Sequence, residues 1–208
     1  MNDTYLSARL PDELPNDPMH WVEAWLVDAT EKAVKRNPNS IAVVTVGKDG
    51  LPSARMVLCK EFQADPGYLV FYTNYESSKA RQIEENPNVA VLIHWDQLGR
   101  QVRTEGQAVR SPAAESDAYF ATRDWGSQIG AWASDQSAPL ESREALIEKV
   151  KEYEARFEGR EVPRPPHWTG YALSPETVEF WTQREFRLHD RILYSQQDGR
   201  WVKQRLNP

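Results

Sequence analysis

The chain has 208 residues, 40% hydrophobic and 27% charged, which suits one folded domain with a substantial core. Its net charge of −6 argues against nonspecific nucleic-acid binding as the main task and leaves any anion site to a local basic cluster. A single cysteine, Cys59, excludes an intrachain disulfide and a cysteine-based zinc site, and no apolar run approaches the roughly 20 residues of a membrane helix.

Residues 1–16 carry Pro11 and Pro15 with few periodic apolar positions and read as a mobile arm. Asp17 then offers an N-cap oxygen and Pro18 stands at the first helical position. Trp21, Trp25, Ala29 and Ala33 recur every four residues, so an amphipathic helix is predicted to about Arg36, stopped by Asn37-Pro38. Ile41 to Val46 is β-branched and apolar, Gly47 to Gly50 is a turn, and Ser53 to Lys60 is the returning strand. Asp65-Pro66-Gly67 leads into a strand from Tyr68 to Thr73. A short helix from Ser77 to Glu85 follows, then strands from Val89 to Trp95 and Gln101 to Val109. A meander with one helical crossover predicts a small barrel closed on itself.

Residues 112–158 switch to a helical pattern, with Leu146, Ile147 and Val150 as the expected buried face. A Pro-rich connector covers 161–166. Strands are predicted over 168–173, 177–181, 187–194 and 201–206, with Asp198-Gly199 as the last hairpin turn. Strands on both sides of a helical insertion predict one α+β domain over 17–208.

Several clusters have chemistry in them. If Arg187-Leu188-His189-Asp190-Arg191 is extended, Arg187, His189 and Arg191 share a face. Two guanidiniums around an imidazole suit a planar anion, and a solvated edge strand with ordinary ion pairs is the alternative. Tyr119, Arg123 and Ser127 are four apart and share a face if one helix runs through them, forming a phosphate cradle; Gly126 is a possible helix end. Arg55 and Lys60 fall on opposite faces of a regular strand and serve one pocket only if a bulge re-aims one of them. Phe71-Tyr72-Thr73-Asn74 runs into Ser77-Ser78-Lys79, a helix start that offers free amides and a cation to an anion, or simply a helix capped by Ser77. The four histidines lack metal-ligand spacing, and no phosphate-binding glycine loop, dinucleotide fingerprint or Gly-x-Ser-x-Gly elbow is present.

Asp17-Pro18, Arg55 to Lys60, Phe71 to Asn74, Arg100-Gln101-Val102, Ser127 to Trp132, Gln136-Ser137, Phe180-Trp181, Arg187 to Arg191 and the ending Arg205-Leu206-Asn207-Pro208 together resemble the pyridoxamine 5′-phosphate oxidase family. The resemblance runs from about Asp17 to Pro208. It implies an FMN-binding split β-barrel, mostly antiparallel and Greek-key-like, with flanking helices, forming a homodimer with FMN at the subunit interface. It implies a pyridoxal 5′-phosphate synthase of vitamin B6 metabolism. Such an oxidoreductase converts pyridoxamine and pyridoxine 5′-phosphates to pyridoxal 5′-phosphate and reduces O2 to H2O2.

By position, the family's FMN contacts fall on Arg55, Met56, Val57, Leu58, Cys59, Lys60, Tyr72, Thr73, Ser78, Lys79, Gln101, Gln136, Ser137, Trp181 and Arg191. Its substrate contacts fall on Lys60, Tyr119, Arg123, Ser127, Arg187 and His189, the last two in catalytic roles. Ser78 stands where the family usually has arginine, and Thr182-Gln183-Arg184 with Phe186 replaces a more glycine-rich approach to Arg187. The alternatives are a phenazine-pathway type of flavin oxidase and a low-turnover carrier of FMN or pyridoxal phosphate. A cytoplasmic location, with no membrane or nucleic-acid partner, is expected.

Overall fold

The computed structural model describes Leu10 and residues 13–208. The first helix, α1 (Pro18–Glu31), starts as its sequence requires: the Asp17 carboxylate accepts the Met19 N–H at 2.7 Å and Pro18 opens the helix. It ends a turn before the predicted Arg36. Ala33 adopts φ +47°, the Ala33 N–H donates to Thr30 and the Val34 N–H to Ala29. This pair of bonds closes the helix in a Schellman turn, with alanine in the place glycine usually takes.

Eight strands follow: β1 (Ser40–Val46), β2 (Pro52–Gln63), β3 (Tyr68–Asn74), β4 (Asn88–Trp95), β5 (Arg100–Arg110), β6 (Trp168–Thr182), β7 (Asp190–Gln197) and β8 (Arg200–Leu206). Their order is β3-β2-β1-β4-β5-β6-β7-β8, and β3 also pairs with β6. That extra pairing closes six antiparallel strands into a barrel and leaves β7 and β8 as an extension. Within it β4-β1-β2-β3 is a Greek key, reached through the crossover helix α2 (Ser78–Glu85).

The two strands predicted at 168–173 and 177–181 are one, β6. Its first half pairs with β3 and its second half with β7, and Pro175 lies between the two pairings. There the register with β5 shifts at Glu105/Gly106 and leaves Glu176 of β6 as the extra residue, and a Cβ on Gly106 would sit 2.1 Å from the Ser174 carbonyl. Only glycine allows that approach.

The main core is built from Ile41, Val43, Phe71, Val91, Trp95, Leu173 and Phe180 of the barrel strands, and Tyr194 of β7 continues it; all are buried. Helix α1 covers it: Trp21 stacks on Phe180 at 4.0 Å, and Trp25 meets Phe180 and Trp95 edge-on. A second core, built on Phe120, Ile129, Phe157 and Trp168, lies under α3 (Ala113–Ala121), α4 (Trp125–Ala133) and α5 (Arg143–Phe157). On α5, Ile147 is exposed and Leu146 and Val150 are only half-buried, so the predicted buried face is corrected to Phe157 with Val150 and Tyr153 packed near it.

The expected arm over 1–16 lies mostly outside the described residues, but its described part is packed. Leu10 is 3% exposed, Tyr194 donates its hydroxyl proton to the Pro15 carbonyl at 2.8 Å, and Lys203 donates to Leu14.

Candidate active site

A cleft of about 830 Å³ opens where β2, β3 and the helical insertion meet. Each side brings residues whose positions follow from local geometry. On β2, the pairing passes from Cys59–Phe71 to Glu61–Val70, so Lys60 is the extra residue of a bulge. The bulge breaks strict alternation, and Arg55 and Lys60 both line the cleft.

At the end of β3, Lys79 lies buried at the start of α2. Its ammonium donates to Gln136 Oε1 at 2.8 Å, Thr73 Oγ1 at 3.0 Å and Ser77 Oγ at 3.3 Å. The Ser77 hydroxyl therefore faces Lys79, and its side chain makes no N-cap bond. Burial, and then the nearby Arg55 cation, lower the Lys79 pKa to about 8. Ser137 adopts φ +72°, a strained conformation at the cleft wall.

Tyr119, Arg123 and Ser127 also line the cleft, but no single helix carries them. Tyr119 is on α3. The chain breaks at Thr122, Asp124 caps α4 by accepting the Ser127 N–H at 2.8 Å, and Gly126 lies in the first turn of that new helix. Arg123 sits in the break. Its guanidinium lies over Trp168 at 5.0 Å and Phe120 at 5.5 Å, and its buried Nη1 has no hydrogen-bond partner among the described residues. Burial pulls its pKa below the ordinary arginine value.

Beside it, Tyr72, Tyr119 and Trp168 form a nearly parallel aromatic group, with centroids 4.2 and 4.9 Å from Tyr72. Tyr72 donates to Glu61 at 2.5 Å, and burial followed by Glu61 pushes its pKa up.

The remaining predicted residues lie elsewhere. Cys59 points into the core, bonds the Glu61 carbonyl, and has its thiol pushed up to about 12 by burial. Gln101, Trp181 and Arg191 stand side by side on β5, β6 and β7. Arg191 pairs with the buried Glu179 at 2.7 Å, which raises its pKa, and Glu179 also holds Arg103 at 2.8 Å. The His189 ring is 4.5 Å from Trp181, and its Nδ1 accepts the Arg184 N–H at 3.1 Å.

The strand predicted from Arg187 begins only at Asp190. Phe186 and Arg187 adopt φ +55° and +62°, and the Leu188 N–H donates back to Glu185. Two consecutive left-handed residues make a turn, so Arg187, His189 and Arg191 are not one strand face.

Two groups of predicted residues thus occupy two parts of one protomer. The profile of the pyridoxamine 5′-phosphate oxidase family matches residues 27–157, and that of the pyridoxine 5′-phosphate oxidase C-terminal dimerisation region matches residues 168–208. The chain belongs to the pyridoxamine 5′-phosphate oxidase family. It is similar to the pyridoxine/pyridoxamine 5′-phosphate oxidase of Rubrobacter xylanophilus, at 53% identity over 92% of this chain and 87% of that one. The similarly named protein of Mesorhizobium japonicum is 48% identical over the whole of both chains. PhzG from Burkholderia lata, solved with tetrahydrophenazine-1-carboxylic acid, superposes with a TM-score of 0.90 at 31% identity, covering 96% of this chain and 98% of its own.

The protein is therefore an oxidoreductase of this family, and its second group of residues falls within the dimerisation region except for Gln101. Asn74 and Gly130, from two of the motifs noted in the sequence, line the cleft as well, and so do Ser53, Ser134 and Trp168, which belong to no motif noted there. Trp168 had a signal, being the aromatic that opens a predicted strand.

Gly170, on β6, makes the aromatic group possible. A Cβ there would meet Tyr72 Cε1 and Ser111 Oγ, each at 2.8 Å. The Tyr72 ring is pinned by its stacking and by Glu61 and cannot yield cheaply. Gly170→Ala is expected to cost about 1–3 kcal/mol of stability, as overpacking does. Denaturant unfolding checks this, and an unchanged midpoint would show that the ring gives way.

Proposed function

We propose that the protein is an FMN-dependent oxidase of pyridoxamine and pyridoxine 5′-phosphates that forms pyridoxal 5′-phosphate and passes electrons to O2, giving H2O2. It works as a homodimer, with the cleft of one protomer completed by the Gln101, Trp181, Arg187, His189 and Arg191 group of the other. One observation carries this reading. Two partly desolvated cations, Lys79 and Arg123, line a single cleft, and the buried Nη1 of Arg123 has no hydrogen-bond partner among the described residues. Two phosphorylated rings fit that donor set.

Lys79, Arg55, Gln136 and Ser137 suit the flavin phosphate. Lys60, Arg123, Tyr119 and Ser127 suit the substrate phosphate with charge and hydroxyls. Bound FMN supplies the acceptor for a hydride leaving substrate C4′. The protein's part is to bind and orient. Because His189 Nδ1 accepts the Arg184 N–H, its neutral ring carries the proton on Nε2 and presents a donor suited to the ring hydroxyl. Arg187, on its exposed turn, is suited to cover the substrate ring.

The test is a visible spectrum of the purified protein, with anaerobic addition of pyridoxine 5′-phosphate. The flavin bands should bleach, and air should restore them with release of peroxide. Bands that persist, or bleaching without peroxide, sink the reading and favour a carrier. The likeness to PhzG favours a second reading, a phenazine-type ring as substrate. Competition between the two substrates separates these, and the 48–53% identical relatives weigh toward the B6 phosphates.

Lys79 also sets a pH dependence. An anion favours the ammonium form and raises its pKa in the complex, whereas in the free protein that pKa is about 8. FMN affinity should be level below that pH and weaken above it, by up to about tenfold per pH unit, because binding must then take up a proton. Riboflavin, lacking the phosphate, should show no such fall. A flat FMN profile to pH 9.5 removes Lys79 from the phosphate site.

A further inference from the structure

Arg55 reaches the cleft from a support that none of the steps above uses. Its Nη1 donates to Thr45 Oγ1 at 2.6 Å and to the Val43 carbonyl at 3.3 Å; its Nη2 donates to Ser53 Oγ at 2.8 Å and Gln82 Oε1 at 3.4 Å. Thr45 lies on β1 and is fully buried, at 0% exposure. Its hydroxyl donates to Gln82 Oε1 at 2.6 Å.

A hydroxyl has one proton and can face a neighbour either as donor or as acceptor. A carbonyl oxygen only accepts. Gln82 therefore claims the Thr45 proton and leaves Thr45 with only lone pairs to offer Arg55. The chain of bonds runs one way, from guanidinium to hydroxyl to amide oxygen.

Gln82 and Lys79 are three residues apart on α2 and so share a face of that helix. One rigid element thus presents Lys79 to the cleft and braces Arg55 next to it. Arg55 and Lys79 repel each other, since Arg55 contributes to the lowered pKa of Lys79. Without an anion between them, an unbraced guanidinium would swing away and would have to be brought back when the ligand binds.

We propose that Thr45 and Gln82 are positioning residues that hold the Arg55 guanidinium beside Lys79, so that both cations meet the flavin phosphate without rearrangement. This rests on the FMN reading given above. It extends that reading to two residues that do not line the cleft.

The test compares FMN with riboflavin, which share the ring and differ in the phosphate. Flavin is stripped from the whole chain, and each dissociation constant is measured by quenching of flavin fluorescence. Thr45→Val keeps the shape and removes the acceptor. It is expected to weaken FMN about tenfold to a hundredfold, the range for a lost hydrogen bond to a charged group, with riboflavin little changed. Gln82→Leu should move the same ratio in the same direction, and it tests the inference where Thr45→Val fails to fold, because Gln82 is only half-buried. Thr45→Ser, which keeps the hydroxyl, should restore the wild-type ratio.

Equal weakening of FMN and riboflavin, or of neither, in the valine and leucine variants overturns the inference. Arg55→Ala is the control. If it shifts the ratio while Thr45→Val and Gln82→Leu do not, the positioning role alone fails. If Arg55→Ala leaves the ratio unchanged, the phosphate reading at Arg55 fails and the inference falls with it.

Discussion

Arg123→Ala is expected to weaken the apparent affinity for pyridoxine 5′-phosphate by about 2–5 kcal/mol, on the order of thirtyfold to more than a thousandfold in KM. The size follows from where the guanidinium sits. It is half-buried against Trp168 and Phe120, and no described residue accepts a hydrogen bond from its buried Nη1. A substrate phosphate would meet a cation that burial has already partly desolvated, so less is spent on desolvation when the pair forms. The same geometry fixes the sign of the effect on folding. No described residue accepts a hydrogen bond from Nη1, so the truncation leaves no buried partner unpaired there. The alanine variant should therefore melt within a few degrees of wild type while its KM rises steeply. Arg123→Lys should recover only part of the affinity, because an ammonium lacks the flat face that lies over Trp168. Steady-state kinetics beside a thermal melt checks both halves. An unchanged KM, or a KM change matched by a collapse in stability, removes Arg123 from the phosphate site.

The secondary structure was largely legible because the hydrophobic pattern has one meaning in most segments. Ile41, Val43 and Thr45 alternate inward along β1, and Asp17-Pro18 starts α1 as read. What escaped was decided by backbone conformation or by distant partners. Nothing in Arg187-Leu188-His189 signals that Phe186 and Arg187 would both take positive φ, since neither is glycine. The break between α3 and α4 rests on Asp124 acting as a cap, which competes with a helical spacing that runs straight through it. The Lys60 bulge is visible only once β3 is laid against β2. The Thr45–Gln82 bond joins residues 37 apart in the chain, and no local pattern reports it.

The division of residues between two parts of the protomer leads to the second large effect. Arg123 lines the cleft, whereas Arg187 lies on the turn at Glu185–Arg187, in the dimerisation region. If each active site takes its cleft from one protomer and its turn from the other, then at a substrate concentration near the wild-type KM Arg123→Ala and Arg187→Ala each disable both sites of their own homodimer. A mixed dimer behaves differently. One of its sites combines both lesions, and the other combines an intact Arg123 with an intact Arg187. Random pairing of equal amounts makes half of the dimers mixed, each with one working site of two. Co-expression of the two inactive variants should therefore restore about a quarter of wild-type activity, as two-fold symmetry requires. A site built within one protomer gives a different result, because every protomer then carries one lesion and no pairing repairs it. Recovered activity should track the fraction of mixed dimers when these are separated by differently charged tags. Mixed dimers that form in full yet stay as inactive as either parent would place Arg123 and Arg187 in the same protomer's site and overturn the shared cleft.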